Sequence, residues 1–572
     1  MTTTNRLAVS LLTLALAACV SSPDGEPVAH YDLLIRNGVV YDGTGAAPRD
    51  LEVAVRDGRV AALLPRGAAA NATQVLDAHG QAVSPGFINM LSWANESLIA
   101  DGRGMSDTRQ GVTLEVMGEG WSMGPLNDRM KADALKQQGD IRFPIEWTTL
   151  GEYLDFLQAR GITPNVASFV GATTIRIHEL GEDDVDPTAE QLAGMQALVR
   201  QAMEEGALGV GASIIYPPAA FADTSELVAL AQASAESGGG YIAHMRSEAD
   251  RLDEALDETI AIARATGQQT EVYHLKAAGE RNWPKMERAI AKIQAARDAG
   301  LKVSADMYAY TAGGTTLAAG LPPWVQAGGA DAMIARLKDP ATRQRVLAEM
   351  ADPDAGWENI RLLTGADDRV LLIELKDPAL KPLLGKSLAE VAKARGTSAA
   401  DTLIDLVIED HARAGAAFFL MSEENVELGL RQPWVALGSD EASTASEGVF
   451  LKSSAHPRAY GNFARFLGHY VRDRKLMSLQ EGIHRLTGLP ATRWKLQGRG
   501  CLAVGCHADI VVFDPATIAD HATYAAPMQY ATGVRDVFVN GVQVLRGGEH
   551  TGATPGRVVR GPGWVPPAPS LE

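Results

Sequence analysis

Two short segments that each end in histidine decide the fold: Tyr241-Ile242-Ala243-His244 and Glu271-Val272-Tyr273-His274. Each has the length and β-forming composition of a buried strand, and residues 249–265 between them repeat apolar side chains with a helical period. A strand, a helix and a second strand in this order predict two neighbouring parallel strands. Because the carboxyl ends of parallel strands meet at one edge, we expect His244 and His274 to lie close together.

The same alternation extends on both sides of these two segments. Eight buried-type strands in all, with helical patterns between several of them, predict an α/β protein with a (β/α)₈ barrel over residues 85–500. A doubly wound open sheet would carry a glycine-rich phosphate loop after an early strand, and the sequence has none. The predicted strands are residues 87–90, 113–117, 166–169, 209–212, 241–244, 271–274, 303–306 and 434–437, and the other predicted helices are residues 188–205, 225–237 and 284–299.

The two ends of the chain show a different pattern. Residues 31–40, 51–64, 509–513 and 534–545 are β-forming runs with turn signals beside them, which predicts one small β-sandwich domain built from residues 30–84 and 501–560. Residues 311–432 are too long for a loop and predict a helical insert over the barrel mouth. The proline-rich residues 561–572 predict a flexible tail.

Composition excludes disordered, collagen-like and coiled-coil proteins. The chain has 572 residues, of which 46% are hydrophobic and 21% charged, as in ordinary globular proteins. The net charge is −18 and no strongly basic stretch occurs, which argues against nucleic acid as a partner. Three cysteines cannot form a disulfide scaffold. Cys501 and Cys506 fit either a disulfide or two free thiols on adjacent strands.

The N-terminus has the pattern of a secretory signal. Arg6 precedes a short apolar run, and Leu16-Ala17-Ala18-Cys19 resembles a bacterial lipobox. This predicts a signal peptide over residues 1–19, lipidation at Cys19, a tether over residues 20–29, and a lipid-anchored protein on the periplasmic side of the cell envelope. Val20 after the cysteine resembles an outer-membrane sorting signal. The alternative is a plain signal peptide cleaved near Ala18.

Four side chains at predicted strand ends can bind a metal or carry protons. Glu119 and Asp440 each follow a predicted strand, as His244 and His274 do. Two imidazoles and nearby carboxylates are nitrogen and oxygen ligands that suit Zn²⁺ with an open coordination position. Taken singly, each histidine also fits a structural role.

Several longer motifs occur in one order along the chain. They are Glu204-Glu205-Gly206-Ala207-Leu208-Gly209, His244-Met245-Arg246-Ser247-Glu248, His274-Leu275-Lys276, Asp306-Met307-Tyr308-Ala309-Tyr310, Leu321-Pro322-Pro323-Trp324, Gly438-Ser439-Asp440, His456-Pro457-Arg458-Ala459-Tyr460-Gly461 and Ala508-Asp509-Ile510-Val511-Val512-Phe513-Asp514. Together they resemble the N-acyl-D-amino-acid deacylases, the D-aminoacylase-type members of the amidohydrolase superfamily. The resemblance covers about residues 30–560. It implies a β-sandwich beside a metal-dependent barrel, and hydrolysis of the amide of a small N-acyl amino acid.

Two departures from the family pattern affect the metal site. The superfamily's first strand normally ends in Asp-x-His-x-His, but Leu91 and Trp93 stand at the two histidine positions. Leucine has no donor atom and indole offers only an N–H, so neither can ligate Zn²⁺. Glu119 stands where the family has a metal-ligating cysteine, and a carboxylate is an acceptable substitute. We therefore expect one Zn²⁺ per chain on Glu119, His244 and His274, with a second, weaker metal left open.

The resemblance also implies the roles of other residues. Asp440 is expected to take the proton of the attacking water and pass it to the leaving amine. Arg458 and Tyr308 are expected to hold the substrate α-carboxylate, because a guanidinium bonds a carboxylate bidentately. Arg246 and Lys276 are candidate substrate groups, with a structural ion pair as the alternative for both.

The sequence is also compatible with other functions. The bond cleaved could instead be that of another amide, a dipeptide, a cyclic amide or a lactone. The loss of the histidine pair also fits a catalytically inactive binding lipoprotein. The sequence leaves the acyl group, the amino acid, its handedness and the oligomeric state undetermined.

Overall fold

The computed structural model describes residues 29–566. The predicted signal peptide with Cys19, residues 20–28 of the predicted tether and residues 567–572 of the predicted tail lie outside the described residues. Among residues 29–566, no helix combines the length and the apolar character needed to cross a membrane.

Strands from both ends of the chain pair with each other. Val83 of the strand Ala82–Pro85 faces Val512 of the strand Ile510–Phe513 in an antiparallel ladder. The inward side chains of this sheet and of a second, four-stranded sheet form one apolar cluster that includes Leu33, Val53 and Phe538. The mixed six-stranded sheet has the order Val39–Val40, Ala82–Pro85, Ile510–Phe513, Val534–Val539, Val542–Arg546 and Glu549–His550, and the four-stranded sheet has the order Arg59–Pro65, Leu51–Arg56, His30–Arg36 and Asn71–Asp77.

The middle of the chain contains all eight predicted strands, and their pairing is parallel. Almost every residue in them is buried, as expected for strands covered on both faces. One sheet has the order Phe87–Asn89, Val112–Met117 and Asn165–Ser168, and the other has the order Val170–Gly171, Gly209–Ser213, Gly240–His244, Thr270–Val272, Val303–Met307 and Val435–Leu437.

Backbone hydrogen bonds connect the first and last of these strands. The Met90 N–H donates to the carbonyl oxygen of Leu437 at 3.1 Å, and the Asp440 N–H donates to that of Leu91 at 2.8 Å. The residues after strand Phe87–Asn89 therefore lie beside Asp440.

Helices connect successive parallel strands along the chain. Helix Ala189–Glu204 begins with a capping box between Thr188 and Gln191, and it buries Met195, Val199 and Met203 along one face. Predicted helix bounds agree with the observed ones to within a few residues. The other helices that precede strand Val303–Met307 are Ser97–Ala100, Met105–Thr108, Asp128–Gln137, Leu150–Arg160, Ala172–Leu180, Ala219–Phe221, Thr224–Ala235, Leu252–Thr266, Glu280–Asn282 and Lys285–Asp298. Those after the last parallel strand are Gly448–Lys452, Arg458–Arg465, its π-helical continuation Phe466–Asp473, Leu479–Leu486 and Gly488–Arg493.

Residues 311–432 contain more than the helices that were predicted. Three antiparallel strands, in the order Ala312–Thr316, Gly415–Phe419 and Val370–Glu374, form a small sheet of their own. Two of these strands are rich in glycine and alanine, so their sequence lacks the usual signal of a strand. The helices of this segment are Leu317–Gly320, Pro323–Gln326, Gly329–Lys338, Pro340–Ala351, Ile360–Leu363, Asp367–Arg369, Lys381–Leu383, Leu388–Arg395, Ala399–Glu409 and Glu423–Leu430.

Two further features concern the C-terminal part. Cys501 and Cys506 form a disulfide, which the sequence had left open. Residues 561–566 differ from the flexible tail that was predicted, because the Gly561 N–H donates to Gly206 O at 2.8 Å and the Val565 N–H donates to Glu204 O at 2.9 Å. These bonds attach the start of the tail to the end of helix Ala189–Glu204.

Candidate active site

Glu119, His244, His274 and Asp440 come together at the carboxyl ends of the parallel strands. His244 is the last residue of its strand, and the other three follow their strands within a few residues. His274 and Asp440 have positive φ values of 36° and 52°, which turn the chain sharply at the strand end. The structure therefore places at one edge the four residues that the sequence analysis assigned to strand ends.

Two glycines allow Glu119 to reach this position. Gly118 and Gly120 have φ values of +103° and +70°. A Cβ at Gly118 would lie 2.3 Å from the carbonyl oxygen of Phe169, and one at Gly120 would lie 2.5 Å from Ser213 Oγ. The turn around Glu119 consequently requires glycine on both sides.

Glu119, His244 and His274 form a compact group of potential metal ligands. One ligand atom of each lies within 4.8 Å of the others, and all three residues are buried. Glu119 Oε1 is 3.2 Å from His244 Nδ1 and 3.0 Å from His274 Nε2. Within the described part of the chain, His244 Nε2 is buried without a hydrogen-bond partner. One carboxylate and two imidazoles are a suitable donor set for Zn²⁺, so the residues fit this metal.

The electrostatics of the group favour positive charge. Burial acts to raise the pKa of Glu119, but hydrogen bonds with His244 and His274 outweigh it and lower that pKa to about 2. Burial and the Lys276 charge act to lower the pKa of His274, but Glu248 and Glu119 raise it to about 10. The carboxylates thus stabilise a cation at this point, which is the charge that a divalent metal supplies.

Glu248 is a site residue that the sequence interpretation missed. Its Oε1 lies 3.0 Å from His274 Nδ1 and 2.6 Å from Lys276 Nζ, and its Oε2 lies 3.6 Å from His244 Nε2. Burial acts to raise the pKa of Glu248, but these three neighbours hold it well below its usual range. A carboxylate beside the second ring nitrogen of a metal-binding histidine orients that ring, and Glu248 is placed to do so for His274. Its position four residues after His244 in the quoted motif was the available signal.

A second glutamate holds the loop that carries Glu248. Glu358, from residues 311–432, accepts hydrogen bonds from the Ser247 hydroxyl at 2.5 Å and from the N–H groups of Glu248 and Ala249 at 3.1 and 3.2 Å. Burial raises the pKa of Glu358 to about 7. The long segment therefore contributes directly to the support of the site.

Asp440 lies between Arg458 and Trp93. Arg458 Nη2 donates to the Asp440 backbone oxygen at 2.6 Å and lies 2.9 Å from Oδ2. Trp93 Nε1 donates to Asp440 Oδ1 at 3.2 Å and to Glu119 Oε2 at 3.0 Å. Burial raises the pKa of Asp440, and the Arg458 charge opposes that rise. A carboxylate held in this way beside the metal ligands can exchange a proton with a reacting group.

Arg458 has spare hydrogen-bonding capacity. It is only 1% exposed, and its Nε and Nη1 atoms are buried with no hydrogen-bond partner among residues 29–566. Its guanidinium carbon lies 4.4 Å from the ring centroid of Tyr308. Unpartnered buried donors are costly, so these two atoms are available for an anionic group of a ligand.

The two other predicted substrate groups have protein partners. Arg246 donates to Glu258 at 2.9 and 3.0 Å and to the carbonyl oxygens of Ala220 and Ala222. These contacts match the alternative of a structural ion pair. The Lys276 ammonium contacts Glu248 and lies 2.6 Å from His274 Nδ1, so it supports the histidine.

Comparison with known proteins identifies the family. The chain matches the amidohydrolase family over residues 74–545. It is 34% identical to a D-aminoacylase of Alcaligenes xylosoxydans xylosoxydans, with 94% of this chain and 99% of that protein covered. The chain belongs to the amidohydrolase family. The predicted family resemblance and the predicted class of enzyme, a hydrolase, are both confirmed.

Solved amidohydrolase structures agree with this assignment. An N-acyl-D-glutamate deacylase from Bordetella bronchiseptica, complexed with zinc and a phosphonate inhibitor, has a TM-score of 0.77 at 30% identity, covering 93% of this chain and 100% of that one. A D-aminoacylase with a binuclear metal centre, described by one-metal activation and second-metal attenuation, has a TM-score of 0.76 at 33% identity over the same shares. The fold is thus the mixed α/β fold of these amidohydrolases.

Proposed function

We propose that the protein hydrolyses the amide bond of N-acyl-D-amino acids with one zinc ion per chain. One observation carries the proposal: three buried side chains that can bind a metal lie beside a carboxylate, Asp440, whose partner Arg458 has two buried donors left unpaired by the described residues. Metal ligands, a proton carrier and a carboxylate-binding group are the parts that this reaction needs.

The chemistry divides between the metal and the side chains. When bound, zinc polarises the substrate carbonyl and makes water a better nucleophile. Asp440 accepts the proton of the attacking water at its carboxylate and delivers it to the leaving nitrogen. Its raised pKa suits both steps, since the group must hold a proton briefly and then release it.

Arg458 binds the α-carboxylate of the substrate in this proposal. Nη2 is already bonded to Asp440, and either Nε or Nη1, which have no partner among the described residues, can donate a further hydrogen bond to the substrate carboxylate. One guanidinium then fixes both the proton carrier and the substrate, which holds the scissile carbonyl at a set distance from Asp440. Tyr308 supports this guanidinium with its ring face.

The proposal extends to the domain architecture. The eight parallel strands form a closed (β/α)₈ barrel, and the bonds from Met90 to Leu437 and from Asp440 to Leu91 support the closure. The sheets shared by residues 30–84 and 501–560 form the β-sandwich domain, and residues 311–432 form an insert over the active-site face.

We also propose a lipid anchor at Cys19 on the periplasmic side of a bacterial envelope. The disulfide between Cys501 and Cys506 supports an oxidising compartment. A diacyl anchor has the two chains that stable membrane attachment needs. Cys19→Ala should move the protein from the membrane fraction to the soluble fraction or leave unprocessed precursor. An unchanged fractionation and N-terminal mass would contradict the anchor.

Hydrolysis of a substrate panel tests the catalytic proposal. N-acyl derivatives of D- and L-amino acids, a dipeptide, a cyclic amide and a lactone are incubated with the protein, with and without a chelator. We expect turnover of N-acyl-D-amino acids that stops on chelation. Turnover confined to another bond type, or turnover that the chelator leaves unchanged, would contradict the proposal.

A further inference from the structure

The end of strand Phe87–Asn89 carries two side chains that cannot bind a metal. Leu91 is 1% exposed and packs against Gly438, where a Cβ would lie 2.6 Å from Leu91 Cβ. Trp93 is held at its backbone, since its N–H donates to Glu441 O at 2.9 Å. Both residues therefore have fixed positions next to the chain that carries Asp440.

The indole of Trp93 joins the two carboxylates of the site. Its single N–H lies between Glu119 Oε2 at 3.0 Å and Asp440 Oδ1 at 3.2 Å. Each carboxylate has its own positive partner on the far side, the histidines for Glu119 and Arg458 for Asp440. The space between the two carboxylates therefore holds one neutral donor, at a point where their negative charges repel each other.

We infer that Trp93 is a positioning residue that takes the place of a second cation. Its N–H holds Asp440 and Glu119 in a fixed relation, and its ring, together with Leu91, excludes a second metal. An indole can donate one hydrogen bond but cannot ligate a metal, so this arrangement makes the site mononuclear. The inference rests on the proposed function, because Asp440 acts as the proton carrier there.

Metal binding to the wild-type protein is the first test. Protein stripped of metal is titrated with Zn²⁺, and binding is followed by calorimetry and elemental analysis. We expect saturation at one equivalent. A second equivalent bound by the wild type would overturn the inference, whatever happens to the variants. Metal-independent hydrolysis by the stripped protein would instead contradict the zinc-dependent chemistry of the proposed function, whereas a second bound equivalent alone would leave the hydrolysis of N-acyl-D-amino acids standing and would correct only the metal count.

Trp93→Phe tests the N–H while keeping a large ring. Trp434→Phe is the matched control, because its buried indole donates to Gln294 Oε1 at 3.0 Å at the opposite end of a parallel strand. We expect Trp93→Phe to keep one metal, to lower kcat about 10- to 100-fold and to leave KM within about twofold. The visible spectrum of its Co²⁺ form should shift, since Glu119 loses a hydrogen bond. The control variant Trp434→Phe should change neither kcat nor the Co²⁺ spectrum.

The remaining outcomes decide the inference. Wild-type kcat and an unchanged Co²⁺ spectrum in Trp93→Phe would overturn it, as would loss of activity in proportion to loss of metal. The double variant Leu91→His/Trp93→His removes the block and adds two ligands, so we expect it to bind a second equivalent of Zn²⁺.

Discussion

Replacing Arg458 by alanine should damage two functions at once, and the structure separates them by atom. Nη2 bonds to Asp440, at its backbone oxygen and at Oδ2, whereas Nε and Nη1 have no partner in the part of the chain that the structure describes. A hydrogen bond to a charged group contributes about 1.5–3 kcal/mol, or about 10- to 150-fold in rate. Loss of the Asp440 contact should lower kcat by that factor on every substrate. Loss of the carboxylate contact should raise KM by a similar factor.

The assay compares an N-acyl-D-amino acid with its carboxamide, which lacks the negative charge. For Arg458→Ala, the carboxylate substrate should lose about 100- to 20,000-fold in kcat/KM, and the carboxamide only about 10- to 150-fold. Arg465→Ala is the control, because it removes another arginine of the same helix that packs on a tyrosine ring, 5.1 Å from the centroid of Tyr310. Equal losses on both substrates would refute the reasoning and would leave Arg458 with the Asp440 contact alone.

Three further predictions concern the proton carrier, the disulfide and acid stability. Asp440→Asn should keep one metal per chain by elemental analysis and abolish turnover, and a variant without metal would contradict its role. Cys501→Ser/Cys506→Ser should lower the free energy of unfolding by about 2 kcal/mol, measured by urea denaturation, since the disulfide closes a loop of about six residues. An unchanged urea midpoint of unfolding would argue against a stabilising disulfide. Burial and neighbouring arginine charges lower the pKa of His507 to about 4. The unfolded chain then binds more protons than the folded chain between about pH 6.5 and 4. The Tm should therefore fall as the pH is lowered through this range, and it should fall less in His507→Gln; parallel curves would rule out this cause.

Much of the fold follows from local sequence. The eight parallel strands were predictable because each is a short apolar run, and because helical patterns lie between several of them. Since the active-site edge is set by strand direction, Glu119, His244, His274 and Asp440 could be assigned to it. The antiparallel sheet within residues 311–432 could not be predicted, because two of its three strands contain Gly313, Gly314 and several alanines, which are weak β-formers, and Val370–Glu374 alone does not make a sheet.

The missing parts of the site depend on contacts between distant segments. Trp93 appeared in the sequence only as a lost ligand, because its bridge between Glu119 and Asp440 needs three strand ends at once. Arg246 stands beside a metal-binding histidine in the sequence, yet its guanidinium turns to Glu258. Side-chain direction at a strand end is decided by packing, which the residue order alone does not specify.

The central claim is that one zinc ion on Glu119, His244 and His274 carries the activity. The most direct measurement titrates metal-free protein with Zn²⁺ and follows hydrolysis of an N-acyl-D-amino acid at each ratio. We predict that activity rises in proportion to added zinc, reaches its plateau at one zinc per chain, and is absent throughout in His244→Ala. A plateau at two zinc ions per chain, or full activity before any zinc is added, would contradict the account.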